Sequence, residues 1–212
     1  MDASWIADLV TSPWLFPVLF AMVVIDAFVV VVPSETAVVA LAAISGATGN
    51  PALWVLIPVA TAGAILGDSL SYALGRKVGF ERWEWQRSGR RGAAVQRARA
   101  AIRSRPAVLI FTARYVPFAR IAVNMAAGAS RLPYGTFLPL SAAAGCGWAL
   151  YNSLVGLYFG RVLENNPIAA IAASVAVAIT LGIAIDFVAS QISLRMERNR
   201  NDNDEPTAPH SD

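Results

Sequence analysis

Histidine and cysteine are nearly missing from this 212-residue chain, where His210 and Cys146 each stand alone. One thiol cannot close an intrachain disulfide, and Cys146, inside an apolar segment, is expected to be a small buried packing residue. One histidine in a polar tail leaves no histidine-based phosphoryl-transfer centre, and no metal-ligand cluster or Gly-rich phosphate loop stands in for it. The chain is therefore not expected to be an enzyme, and no catalytic residue, metal or cofactor is assigned. Charge is scarce as well, at 15% of residues, while 56% are hydrophobic and the mean hydropathy is +0.53. Those values exclude an ordinary soluble domain and indicate a polytopic membrane protein. The N-terminus has neither the basic region nor the cleavage site of a signal peptide, so the first apolar run is expected to stay attached. A net charge of +3 raises nucleic acid as a partner. The basic residues, however, sit between and beside apolar segments, where membrane orientation explains them.

The most informative stretch is Pro106–Ser130, PAVLIFTARYVPFARIAVNMAAGAS. It is apolar enough for a bilayer, yet carries Arg114 and Arg120 with Pro117 between them. Each arginine at the centre of a spanning helix costs about 2.5–3.5 kcal/mol on insertion scales. Proline removes a backbone donor and clashes with the preceding turn. Intramembrane charges face a water-filled cavity or a paired acid rather than lipid. A broken or re-entrant element is predicted, with cations that need partners.

Taken in order, Trp14–Val32 is the first candidate span, interrupted by Asp26, an acid that must be paired or protonated at that depth. Pro33, Ser34 and Glu35 follow, with Glu35 either a helix N-terminal charge or a functional acid. Thr36–Thr48 is too short to cross a core of about 30 Å, and Gly46, Gly49, Asn50 and Pro51 read as a turn cluster. A hairpin arm entering and returning on one side is expected there. Ala52–Val78 is the second span, with Asp68, Ser71, Tyr72 and Gly75 on one helical face. Its glycines, Gly67 and Gly75 among them, permit close helix approach. Ten of the seventeen basic residues lie between Arg76 and Arg105, which places that loop in the cytoplasm and suggests an amphipathic helix on anionic lipid. Tyr134–Phe159 and Ile168–Ala189 are the remaining spans. The tail after residue 190 is polar and expected to be disordered.

These signs give one expected architecture: an all-α integral membrane protein with about four spans and two oppositely oriented re-entrant hairpins in an inverted repeat. Residues 1–13 form a cytoplasmic segment, 14–79 the first half, 80–105 the linker, 106–190 the second half and 191–212 a cytoplasmic tail. The repeat sets Pro33 against Pro117 and Gly75-x-x-x-Gly79 against Gly156-x-x-x-Gly160, at offsets of 84 and 81 residues. Inverted repeats with broken helices recur in transporters, with the site at the repeat interface.

Three motifs carry a resemblance to the DedA family, which shares the VTT domain of SNARE-associated Golgi proteins. Asp26 with Pro33-Ser34-Glu35 resembles its acid followed by Pro-Gly-acid, with Ser34 in place of glycine and Asp26 in place of the commoner glutamate. Gly67-Asp68-x-x-x-Tyr72-x-x-Gly75-Arg76 resembles its Gly-Asp…Tyr…Gly-Arg motif. Arg114-Tyr115-Val116-Pro117-Phe118-Ala119-Arg120, followed by Gly128, is similar to its R-[FY]-x-P-x-x-R…G signature. The resemblance covers about residues 14–190. It implies lipid transport in the bacterial cytoplasmic membrane, in which the charge pattern and span count place both termini inside: movement of undecaprenyl phosphate or phospholipid between leaflets, linked to proton-motive force. By the same carry-over, Asp26 and Glu35 are the essential acids and Arg114 and Arg120 the essential cations. The arginine fork suits the phosphate head group, and Asp26, Glu35 and Asp68 are expected as acidic partners in proton coupling. Asn124 and Trp148 join Pro33, Pro117 and the glycines as structural positions. Membrane lipids and protons are the implied partners, and a homo-oligomer stays open. A proton-coupled small-ion antiporter, a lipid phosphatase and a purely structural set of salt bridges are the alternatives.

Overall fold

The computed structural model describes residues 10–28, 34–79, 99–114, 117–163 and a few positions between 169 and 180. Pro33, most of the basic linker, most of the Ile168–Ala189 span and the C-terminal tail lie outside the described residues. Within them the chain forms α1 (Leu15–Asp26), α2 (Ser34–Thr48), α3 (Leu53–Val78), α4 (Pro106–Ala113), α5 (Pro117–Ala129) and α6 (Tyr134–Val162). A further helical segment at 99–104 precedes α4.

The two long helices match the second and third expected spans closely. At 1.5 Å per residue, α3 is about 39 Å long and α6 about 43 Å. Among the described residues, α3 alone is both long and apolar enough to cross a membrane by length and composition. Only 33% of its most apolar window is buried within the protein, so it is not the core helix of a soluble fold. Leu66, Leu70 and Leu74 form an exposed stripe on α3, matched by Leu150, Leu154 and Tyr158 on α6. Apolar surface of that extent suits lipid rather than water.

The short helices lie where the expected segments do, with one difference. Among the described residues, the first candidate span is helical over Leu15–Asp26, about 18 Å, and turns at 27–28. Residues 29–32 of that candidate span lie outside the described residues. Thr36–Thr48 lies within one unbroken helix, α2, which starts at Ser34, and the expected turn follows it at Gly49–Pro51. Gly46, read as part of the turn, lies inside α2, where a Cβ would strike the α6 backbone at Leu157. Pro106–Ser130 is broken, as its arginines and proline predict, into α4 and α5.

Packing repeats with the halves exchanged. In the first half α1 packs on α3, in the second α4 on α6; α2 lies along α6 as α5 lies along α3, and α3 and α6 cross each other. Glycines set the register. A Cβ on Gly75 would overlap the backbone of Met125, and one on Gly160 that of Ala43. A Cβ on Gly128 would strike the backbone of Tyr72 and Arg76, and one on Gly46 that of Leu157 and Arg161. Gly75-Arg76 thus corresponds to Gly160-Arg161, not to Gly156. Gly79 ends α3 with φ +67° and has nothing within 4 Å, so it is a helix terminator rather than a packing glycine. Cys146 also departs from expectation: it is exposed, on the outward face of α6 that carries Leu150 and Leu154.

Candidate functional site

The breaks between the short helices bring the charged residues together. Arg114 caps the C-terminus of α4, where unsatisfied carbonyls favour a cation. Its Nη1 donates to Asp68 Oδ2 at 2.8 Å, and the two side chains are only 4% and 3% exposed. The same Oδ2 accepts from Ser141 Oγ at 2.8 Å, and Oδ1 accepts from Asn124 Nδ2 at 2.9 Å. Asp68 on α3 is thus held by α5, α6 and the end of α4. Its neighbours explain how an acid survives in an apolar helix: a buried charge is tolerated when paired and hydrogen-bonded.

Arg114 is less completely served. Its guanidinium carbon lies 5.4 Å from the centre of the Trp148 ring, within reach of a cation–π interaction. Among the described residues, Nε and Nη2 are buried without a hydrogen-bond partner. A Cβ on Gly145 would come to 3.6 Å from Nη2, an ordinary van der Waals contact, so the glycine backbone packs directly beside that side of the fork.

Arg120 lies in the first turns of α5 and reaches across to the end of α1. Its Nη2 donates to the Asp26 backbone oxygen at 2.7 Å and to Asp26 Oδ2 at 3.0 Å. One nitrogen therefore meets both a carbonyl left over at the α1 C-terminus and the carboxylate beside it. The pair is less buried than Arg114–Asp68, at 13% and 16% exposure. Arg120 Nε is buried without a partner. Glu35, in the first turn of α2, interacts electrostatically with Asp26 and Arg120 but forms no ion pair among the described contacts. Its acid at a helix N-terminus is favourable on local grounds as well.

Of the residues singled out from sequence, Asp26, Glu35 and Arg120 therefore form one group, and Asp68, Arg114, Asn124 and Trp148 a second. Gly67, Tyr72, Gly75 and Gly128 bind the helices together around them. A Cβ on Gly67 would meet Ala27 and Val24 of the α1 end. The Tyr72 hydroxyl donates to the Leu132 carbonyl and accepts from Arg76 Nη1 at 2.9 Å. Pro117 opens α5. Ser141 went unnoticed in the sequence; its spacing to Gly145 and Trp148 (i, i+4, i+7) places all three on one face and could have revealed it.

Comparison with known proteins bears on this arrangement. The family model described as VTT domain matches residues 32–158, which include both arginines, Asp68 and Glu35. An uncharacterized membrane protein of Synechocystis is 29% identical over 66% of this chain and 64% of its own length. One from Mycobacterium tuberculosis is 31% identical over 51% of this chain and 48% of its own. The inner membrane protein YohD of Escherichia coli is 29% identical over 48% of this chain and 52% of its own. The chain thus spans about half to two-thirds of the length of these relatives. No solved structure matches.

Proposed function

The chain belongs to the VTT-domain (DedA) family of membrane proteins, and on that premise we propose that it moves lipid phosphates between leaflets as a transporter, not an enzyme. The observation that carries this reading is the unfilled guanidinium of Arg114, whose Nε and Nη2 are buried without partners among the described residues. Leaving a buried donor unpaired costs about 1–3 kcal/mol, more when charged. A phosphate oxygen arriving beside Gly145 and Trp148 would remove that cost, and the arginine fork suits such oxygens. Undecaprenyl phosphate or a phospholipid head group has the required chemistry. Arg120 supplies a second cation near the acids of the opposite half. Asp26 and Glu35 would hold Arg120 when the site is empty and take up protons when phosphate competes for it, linking transport to proton-motive force in a bacterial inner membrane.

Two membrane dips suit this cycle: α1–α2 on one side and α4–α5 on the other, with α3, α6 and the Ile168–Ala189 segment as spans and the C-terminus inside. Each dip is a pair of helices too short to span, joined where the charges lie.

The test is reconstitution in liposomes with labelled undecaprenyl phosphate or phospholipid. Arg120→Ala, in protein that remains folded, is expected to lower lipid crossing about tenfold or more, the scale of a lost charge-assisted hydrogen bond. Full activity in both Arg114→Lys and Arg120→Lys would contradict the phosphate-fork argument. The Glu35–Asp26–Arg120 group also favours a second reading, proton-coupled antiport of a small ion. Ion flux without lipid movement in the same vesicles would select it.

A further inference from the structure

A second feature lies away from the arginine breaks, near the C-terminal end of α3, where a few polar groups edge a mostly apolar surface hollow. There a cavity of about 500 Å³ opens between α3 and the start of α6. Ser69, Tyr72, Arg76, Lys77 and Tyr134 supply its polar lining. These groups are held in place: Arg76 Nη1 donates to the Tyr72 hydroxyl, itself bound to the Leu132 carbonyl, and Ser69 Oγ lies 3.0 Å from the Tyr134 hydroxyl. Tyr72 also stacks on Phe137, ring centres 4.6 Å apart. Leu70 and Ala73 complete the lining, and exposed Leu66 and Leu74 continue the apolar strip along α3.

We infer that this cavity binds an anionic phospholipid, its head group on Arg76 and Lys77 and an acyl chain along Leu66, Leu70 and Leu74. Two cations at the head of an apolar strip complement a molecule with negative charge at one end and hydrocarbon at the other. Juxtamembrane basic residues attract anionic lipid in the same way. The repeat provides an internal comparison. In the register set by the glycines, Arg76 corresponds to Arg161, but Lys77 corresponds to Val162 and Ser69 to Leu154. The helix packing is therefore built without this polar lining at the opposite pole, and the lining needs a separate explanation. The inference requires a membrane location only, and is independent of whether Arg114 and Arg120 carry a substrate.

Native mass spectrometry of the full chain, released from micelles holding equal phosphatidylglycerol and phosphatidylcholine, tests it. The wild type is expected to retain phosphatidylglycerol preferentially. Arg76→Ala and Lys77→Gln are each expected to reduce that retention roughly fivefold, while Arg161→Ala, which removes the same charge from the equivalent position, leaves it intact. Lys77 is exposed, so Lys77→Gln spares the Tyr72 contacts and decides the matter if Arg76→Ala is misfolded. Absence of head-group preference, an unchanged Lys77→Gln variant, or an equal loss in Arg161→Ala would overturn the inference.

Discussion

Asp68 accepts hydrogen bonds from Arg114, Asn124 and Ser141, one from each of three segments. The donors are not equivalent. Asp68→Ala leaves Arg114 buried and uncompensated, and the expected loss is about 3–5 kcal/mol. Ser141→Ala removes one neutral donor and should cost about 1 kcal/mol. Thermal unfolding in detergent, with both variants side by side, checks that ordering. A smaller effect for Asp68→Ala than for Ser141→Ala would mean the ion pair is not what holds these helices. Charges in apolar runs are easily seen in a sequence, and Asp26, Asp68, Arg114 and Arg120 were all identifiable from that alone. Their pairing was not, because Asp68 and Asp26 are equally acidic and only the fold assigns the first to Arg114 and the second to Arg120. Ser141 was hidden for the opposite reason: a serine among alanines carries no distinguishing cost until its partner is known.

Between helices, glycine sets how near two backbones come, and the glycines of α3, α5 and α6 fall into two kinds. Gly128→Val is expected to separate α5 from α3, since any Cβ there enters the backbone of Tyr72 and Arg76. Gly147 has nothing within 4 Å, and Gly147→Ala is expected to stabilise α6 by about 0.5–1 kcal/mol through reduced chain entropy. Opposite shifts in the unfolding temperature of these two variants check the distinction. Two shifts of the same sign would refute it. The long helices were legible to within a residue at their starts because length and hydropathy both mark them. The repeat register was misaligned because the Gly-x-x-x-Gly spacing recurs, while Gly79 terminates α3 and Gly156 makes a contact with Val39. The same ambiguity sent Gly46 to a turn. One residue type answers two physical needs, and spacing does not say which.

The molecule as a whole pairs two sets of short helices against two long ones, and its orientation can be tested by where the first half begins. Helices α1 and α2, about 18 and 22 Å long, meet near Asp26, which Arg120 holds from the second half. Reporter fusions at the N-terminus and at the Gly49 turn are therefore expected to report the same side of the membrane. Opposite sides would make Trp14–Val32 a span and remove the proposed first dip.

Cys146 adds a practical consequence. Being the sole thiol and exposed on the outer wall of α6, it accepts a single fluorescent maleimide without any engineered background. Quenching by bromine or nitroxide carried at known carbons of the surrounding acyl chains would then measure how deep that wall sits, giving a vertical ruler for the entire assembly from a wild-type side chain.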